Sequence, residues 1–379
     1  MGGLHNMKKK MIAAGHICVD ITPAIPGKKG AKINELLIPG KLIEVGDATV
    51  STGGAVANTG LAMKILGGNV SLMGKIGNDA FGGIVKNVLK KYGLEDGLLI
   101  SDTAATSYTV VVAVPGIDRI FLHNPGANNA FYADDIPEEE LKDAALFHFG
   151  YPPIMRSMYV NDGEELVKMM RMVKEAGVAT SMDLAAVDEA SEAGQVDWHH
   201  VLERVMPYVD IFVPSVEELC YMLDKERFQE WQERAAGRDV TEILDIEKDV
   251  KPLADECMKM GVKVLLLKCG APGMYFCSAS KEVLSQITDR LELDVEAWAG
   301  KEYFEKSYVP EKVLSGTGAG DTSIAAFLTA MTDGYTPEDA LHLAAGTGAS
   351  CVAAYDALSG LKSFEELKKK MDAGWEKAE

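Results

Sequence analysis

A chain of 379 residues that is 47% hydrophobic and 25% charged is globular and long enough for one large domain with an appendage, or for two domains. Its formal net charge of −19 argues against nucleic acid and anionic membrane as main partners, because both demand a basic surface. The six cysteines (Cys18, Cys220, Cys257, Cys269, Cys277, Cys351) are scattered and form no C-x-x-C pair, which argues against a zinc site or a disulfide framework and fits a reducing cytosol.

Taken in chain order, Lys8-Lys9-Lys10 followed by Met11 to Val19 imitates a signal peptide. The apolar run is short, however, and ends at Asp20 without a small-residue cleavage site, so it reads as a first buried strand. Further apolar runs at Asn69–Met73, Ala145–Phe149, Ala179–Met182, Ile211–Val213 and Val262–Leu267 read as buried strands. Amphipathic stretches at Ala55–Leu66, Phe81–Tyr92, Glu164–Ala176 and Lys251–Met260 read as helices. This alternation predicts an α/β fold, a doubly wound and mainly parallel sheet flanked by helices, with ligands at the C-terminal strand ends.

Two stretches leave that rhythm. Ile33–Val50, with its Pro39-Gly40 turn, and Thr106–Leu122, with its alternation from Tyr108 to Val114, predict antiparallel strands of a small β-lid outside the main sheet. Residues 1–32, 51–105 and 123–379 then belong to the main α/β domain, and 33–50 and 106–122 to the lid. A lid of this kind exposes an apolar face unless a ligand or a second copy covers it, so a homodimer joined through the lid is expected. The charged segments Asp224–Asp249 and Leu284–Lys306 read as solvated surface insertions. Nothing approaches a membrane span.

Near the C-terminus Ser315-Gly316-Thr317-Gly318-Ala319-Gly320-Asp321-Thr322 is a glycine-rich turn that ends in an acid and runs into an apolar stretch. Glycines let successive N–H groups converge, and the following helix adds its positive dipole end, so Gly318, Ala319 and Gly320 suit a phosphate beside the carboxylate of Asp321. That order suggests phosphoryl transfer, with Asp321 as base. The turn by itself equally fits a plain helix N-cap. Two commoner nucleotide motifs are excluded: no Gly-Lys pair has the glycine spacing of a Walker A loop, and Asp339, about twenty residues on, lies at a helix start rather than a strand end.

The N-terminal half supplies a second constellation. Gly53-Gly54 at a loop-to-helix junction lets a small polyol approach the backbone, Asn58 can donate to and accept from hydroxyls, and Asp20 is an acceptor suited to vicinal hydroxyls. Each of these is more often structural when taken singly, as a turn or helix cap. The turn Gly74-Lys75-Ile76-Gly77-Asn78-Asp79-Ala80-Phe81-Gly82 follows a buried strand, and no functional role is assigned to Lys75 or Asp79.

In order along the chain, Gly15-x-x-x-x-Asp20, Gly53-Gly54 with Asn58, Gly74-x-x-Gly77-x-Asp79-x-x-Gly82, Pro214-Ser215-Val216-Glu217-Glu218, Gly270-x-x-Gly273 and Gly318-Ala319-Gly320-Asp321 resemble the ribokinase-like (PfkB) carbohydrate kinases over nearly the whole length. The resemblance implies a large α/β domain with a β-lid and transfer of the γ-phosphoryl of ATP to a hydroxyl of a sugar or sugar derivative. It implies that Asp20, Gly53, Gly54 and Asn58 hold substrate hydroxyls, that Asp321 is the general base, and that Gly318, Ala319 and Gly320 form the anion hole. Gly270 and Gly273 would lie along the nucleotide, with Ser215 and Lys268 near its phosphates and Glu218 acting on Mg²⁺ through water. A monovalent cation is a further cofactor of the family, but Ser315-Gly316 stands where Asp-Thr is common and the Asp of that site is missing. Ser215 replaces the Asn of the family's Asn-x-x-Glu motif, Lys268 replaces a frequent Thr, and no Arg follows Asp183 as in some members. The alternative is a nucleoside kinase of the same fold, for which Tyr108, Phe121 and Phe131 would stack on a base. A catalytically inert binding protein is disfavoured by the intact Gly318–Asp321 turn, and a sugar-phosphate kinase by a lid whose cation candidates are Arg119 and His123 alone.

Overall fold

The computed structural model describes residues 8–26, 38–114 and 120–378. Its main sheet is built from the continuous apolar runs of the sequence, because a strand covered on both faces has no reason to alternate. The strands are β1 (Lys10–Gly15), β2 (Cys18–Pro23), β3 (Ala48–Gly53), β4 (Asn69–Gly77), β5 (Leu98–Ser101), β6 (Tyr108–Val112), β7 (Ile120–Asn124), β8 (Ala144–Gly150), β9 (Ala179–Asp183), β10 (Ile211–Phe212), β11 (Val264–Lys268), β12 (Gly273–Ser278) and β13 (Glu302–Lys306). Nine of them form one sheet in the order β13-β12-β11-β10-β9-β8-β1-β4-β5. From β11 to β5 all neighbours are parallel, while β12 and β13 add an antiparallel edge.

The two faces of this sheet bury separate cores. Ile12, Ala14, Phe147, Phe149 and Leu265 face one, and Met11, Ala13, Leu146, Val264 and Leu266 face the other, which is the two-residue period of a strand. The helices that matter for the site are α1 (Ala55–Ile65), α2 (Ala80–Lys90), α3 (Arg156–Glu175), α4 (Val216–Leu223), α5 (Lys225–Ala235), α6 (Lys251–Lys259), α7 (Ala319–Thr332) and α8 (Pro337–Cys351). Within α3 the helix is interrupted at Val160–Gly163, where Asn161, Asp162 and Gly163 take left-handed backbone, and it resumes for the stretch that the amphipathic pattern marks. α7 is buried almost throughout, packed between the sheet and its neighbours α1 and α8. Among the described residues no helix is long and apolar enough to cross a membrane.

A second sheet, in the order β3-β2-β6-β7, stands outside the first. It departs from the sequence reading in three ways. The apolar run from Met11 to Val19 is not one strand: it breaks at His16-Ile17, and β2 leaves the main sheet to become the centre of the small one. The small sheet is mixed rather than antiparallel, since β2 pairs with β6 in parallel and with β3 in antiparallel fashion. The strand drawn from the first lid stretch, β3, starts at Ala48 and runs past Val50 to Gly53. Residues 33–37 of that stretch and Arg119 lie outside the described residues.

The two charged segments are also more than solvated surface. In the first, Trp231 of α5 is fully buried and its indole N–H donates to Asp249, whose carboxylate also takes a 2.5 Å bond from Arg234. In the second, Trp298 is buried and β13 forms the edge of the main sheet. A charged stretch can hide a single large aromatic that anchors it.

Candidate functional site

The glycine-rich turn and the N-terminal constellation, 263 residues apart, meet through one side-chain pair. Asp321 stands in the first turn of α7, where the helix leaves its leading N–H groups without intrahelical acceptors. Gly318, the residue before the helix, has φ 77°, and a Cβ there would lie 2.3 Å from that of Ala357, so only glycine makes this entry. Asn58, one turn into α1, donates from Nδ2 to Asp321 Oδ2 at 2.9 Å. The other carboxylate oxygen, Oδ1, accepts from the Tyr151 hydroxyl at 2.5 Å. Asp321 is buried and accepts from two donors.

On the small sheet, Asp20 of β2 accepts from the Cys18 thiol at 3.3 Å. Burial pushes its carboxyl up from the usual range, with bonds from Cys18 and Thr109 opposing the shift. Gly53 and Gly54 allow close packing: a Cβ at Gly53 would collide with the Asp20 carboxylate, and one at Gly54, whose φ is 86°, with His16. His16 is buried, its two ring nitrogens have no hydrogen-bond partner among the described residues, and burial lowers its pKa to about 3, so it is neutral. Its ring sits 5.2 Å from that of His123 on β7 and 6.0 Å from that of Tyr151. The neutral His16 imidazole, packed under Gly54, is thus a buried polar ring whose donor and acceptor are both unsatisfied among the described residues.

On the other side of Asp321, the Lys268 side chain lies along Gly320, where a Cβ would sit 3.4 Å from its Cδ. The Lys268 ammonium bonds both oxygens of Asp183, at 2.9 and 3.0 Å. Burial would discharge Lys268, but Asp183, Glu218 and Asp321 around it hold the ammonium charged and raise its pKa. Asp183 is pushed up by burial, opposed by Lys268, and pushed further by Glu218 and Asp321. Three acidic side chains thus gather around one lysine, and among the described residues no group of three or more His, Cys, Asp or Glu side chains is arranged to hold a metal ion.

Ser215 and Glu218 cap α4 reciprocally: Glu218 N donates to Ser215 Oγ at 3.3 Å, and Ser215 N to Glu218 Oε2 at 3.1 Å. Ser215 also bridges to Lys268 in the sheet. Ser215, Glu217 and Glu218 line a cleft of about 420 Å³, which Phe228 and Gln232 of α5 also line. Gly270 and Gly273 make their close approaches to protein, to Thr241 and to the β13 carbonyl of Glu305, so a nucleotide-facing role for them rests on sequence position alone. Lys75 is tied to Asp135 and the Ala130 carbonyl, and Asp79 caps α2 and takes the Thr106 N–H.

Of the aromatics that could stack on a base, Phe131 is fully buried against Phe149 and cannot reach a ligand, and Tyr108 packs on Phe81. The sequence reading missed Tyr151 as a site residue and gave Asp183 no role. Both stand at C-terminal strand ends, of β8 and β9, where the fold class itself directs attention.

The sequence model described as pfkB family carbohydrate kinase matches residues 18–363. Fructokinase-1 of Zea mays is 27% identical over 183 residues, 46% of this chain and 51% of that protein, and the chain spans about half the length of the first curated relatives it matches. Probable fructokinase-5 of Arabidopsis thaliana is 24% identical over 383 aligned positions, 95% of this chain and 97% of its own. Among solved structures, a fructokinase with bound ATP from Xylella fastidiosa superposes with a TM-score of 0.70 at 19% identity, covering 97% of this chain and 99% of that one. A ribokinase of Arabidopsis thaliana complexed with ribose and ATP gives 0.68 at 20% identity, covering 96% and 98%.

Proposed function

We propose, for a chain that belongs to the pfkB family of carbohydrate kinases, that it transfers the γ-phosphoryl group of ATP to a hydroxyl of a sugar or sugar derivative. The observation that carries this reading is the Asn58–Asp321 bond, which joins the Gly53-Gly54/Asn58 constellation to the acid at the start of α7. In this reading Asp20, Gly53, Gly54 and Asn58 hold the acceptor, and the acceptor hydroxyl gives its proton to Asp321 as its oxygen bonds to the γ-phosphorus. The bond from that phosphorus to the β,γ-bridging oxygen breaks, and ADP leaves. The amides of Gly318, Ala319 and Gly320 stabilise the charge that develops on the transferred group.

Lys268, freed in part from Asp183, meets the phosphates together with Ser215, and Gly270 and Gly273 border the nucleotide. Glu218 offers a single carboxylate, which suits an ion such as Mg²⁺ that keeps most of its water and, when bound with ATP, would neutralise phosphate charge. Glu218 would contact the water shell of that ion, its own orientation set by the bonds with Ser215. The small sheet is the lid, the nine-stranded sheet the main domain, and lid closure keeps water from competing for the phosphoryl group. The apolar residues exposed on β7 would pair with those of a second copy to give a homodimer. Six unpaired cysteines favour a cytosolic location.

Of the three aromatics a nucleoside acceptor would stack on, Phe131 is inside the core and Tyr108 is packed on Phe81, which leaves Phe121 on β7, 56% exposed, as the candidate. The test is ATP consumption by the purified protein against pentoses, hexoses, sugar acids, cyclitols and nucleosides. A strong response to one sugar supports the reading, a nucleoside response replaces it with the runner-up, and silence across the whole panel removes it.

A further inference from the structure

We propose that Tyr151 is a positioning residue for the transfer reaction: its phenol O–H, with the amide of Asn58, holds the carboxylate of Asp321 in the orientation that receives the acceptor's proton. The inference rests on the kinase reading above.

Four observations lead to it. The first is the division of the carboxylate. Oδ1 accepts from Tyr151 at 2.5 Å and Oδ2 from Asn58 at 2.9 Å, so neither oxygen can rotate away without losing a charge-assisted bond. A carboxylate has about four acceptor positions, so two remain for the substrate.

The second is the backbone at Tyr151, which is left-handed at φ 71° and ψ 41°. A bulky side chain rarely adopts that region, and such outliers persist where the surroundings over-determine them. Here the turn sends the ring from the end of β8 across to α7 instead of along the sheet.

Packing of the two donors as one unit is the third. Gly150, just before Tyr151, lies so close to the start of α1 that a Cβ there would be 2.1 Å from the Cβ of Ala55. The strand end that carries Tyr151 and the helix that carries Asn58 are therefore pressed together.

The fourth is chemical state. Burial, with Asp321 and Asp183 nearby, drives the phenol well above its ordinary pKa. Tyr151 can thus donate to Asp321 but cannot compete with it as the proton acceptor. A purely structural tyrosine would need only its ring, whose neighbour is His16 at 6.0 Å.

The experiment is a double-mutant cycle on the full chain with the sugar that the acceptor panel identifies. Tyr151→Phe keeps the ring and its backbone demands and removes one donor. It is expected to lower kcat about 10- to 100-fold through misplacement of the base, with KM for sugar and ATP within about twofold of wild type. In an Asp321→Asn background the same substitution should change kcat by less than about twofold, because Tyr151 acts through Asp321. Equal fold-losses in both backgrounds, or a Tyr151→Phe enzyme with wild-type kcat, overturn the positioning role alone. Near wild-type turnover by Asp321→Asn overturns the base assignment and the positioning role with it. Thermal melting of each variant separates any loss of fold, and Tyr151→Phe is expected to melt within a few degrees of wild type.

Discussion

Asp321→Asn is the perturbation with the sharpest expected outcome. The amide has the shape of the carboxylate and can keep both local bonds: its oxygen faces the Asn58 amide at 2.9 Å, and its NH₂ faces the Tyr151 oxygen, which accepts as readily as it donates. Two charge-assisted bonds become neutral ones, a loss of about 1–3 kcal/mol in gross terms, partly offset because a buried charge no longer needs stabilising. The fold and ATP binding should survive. What disappears is the proton acceptor, and loss of a general base costs about 10²–10⁴ in rate, or about 3–5 kcal/mol of barrier. The assay is coupled ADP release at saturating sugar and ATP, with ATP affinity by calorimetry and folding by thermal melting. A folded Asp321→Asn protein with near wild-type turnover would refute the assignment. Loss of ATP affinity in step with turnover would instead move Asp321 to the nucleotide.

Much of this architecture is visible in the sequence because buried parallel strands need continuous apolar runs, and six such runs mark β1, β4, β8, β9, β10 and β11. β13, Glu302-Tyr303-Phe304-Glu305-Lys306, is hidden in a charged stretch because an edge strand can be half polar. β2 is obscured for a different reason: apolar residues continue across His16-Ile17, and composition carries no mark of the strand's change of sheet. The glycine turns and Asp20, Asn58, Ser215 and Glu218 lie in local motifs that can be read from spacing. Tyr151 and Asp183 have no local motif, since their partners Asp321 and Lys268 are 170 and 85 residues away. Only the fold brings them into register, and a search of every C-terminal strand end for polar side chains would have found both.

Four further outcomes are expected. Asp20→Ala should weaken sugar binding by about 1.5–3 kcal/mol and leave ATP binding unchanged, because a charge-assisted diol contact is lost; equal weakening of both ligands in calorimetry would make Asp20 structural. Lys268→Met should raise KM for ATP and lower the melting temperature by leaving Asp183 buried without its counter-charge, and adding Asp183→Asn should restore the melting temperature but not KM. His16 and His148 are buried with pKa values lowered to about 3, so the unfolded chain binds their protons first, and stability present above about pH 6.5 is lost as pH falls. Denaturant unfolding at pH 5.0 should show a loss of about 2 kcal/mol per histidine relative to pH 7.5, about half of it removed by His148→Gln, and a flat profile between these pH values would contradict the neutral state of both. Last, Leu122→Glu should convert a dimer to a monomer. β7 is an edge strand of the small sheet, with Ile120 40% and Leu122 56% exposed, and Val50 on the opposite edge strand β3 is 47% exposed. An apolar edge of this kind recruits another chain unless something blunts it, and a glutamate placed on it would face its own copy across a two-fold contact, so like charges and lost apolar burial act together. Light scattering that gives a monomer for the wild-type protein at every practical concentration would remove the dimer, and an unchanged dimer in Leu122→Glu would move its interface away from the lid.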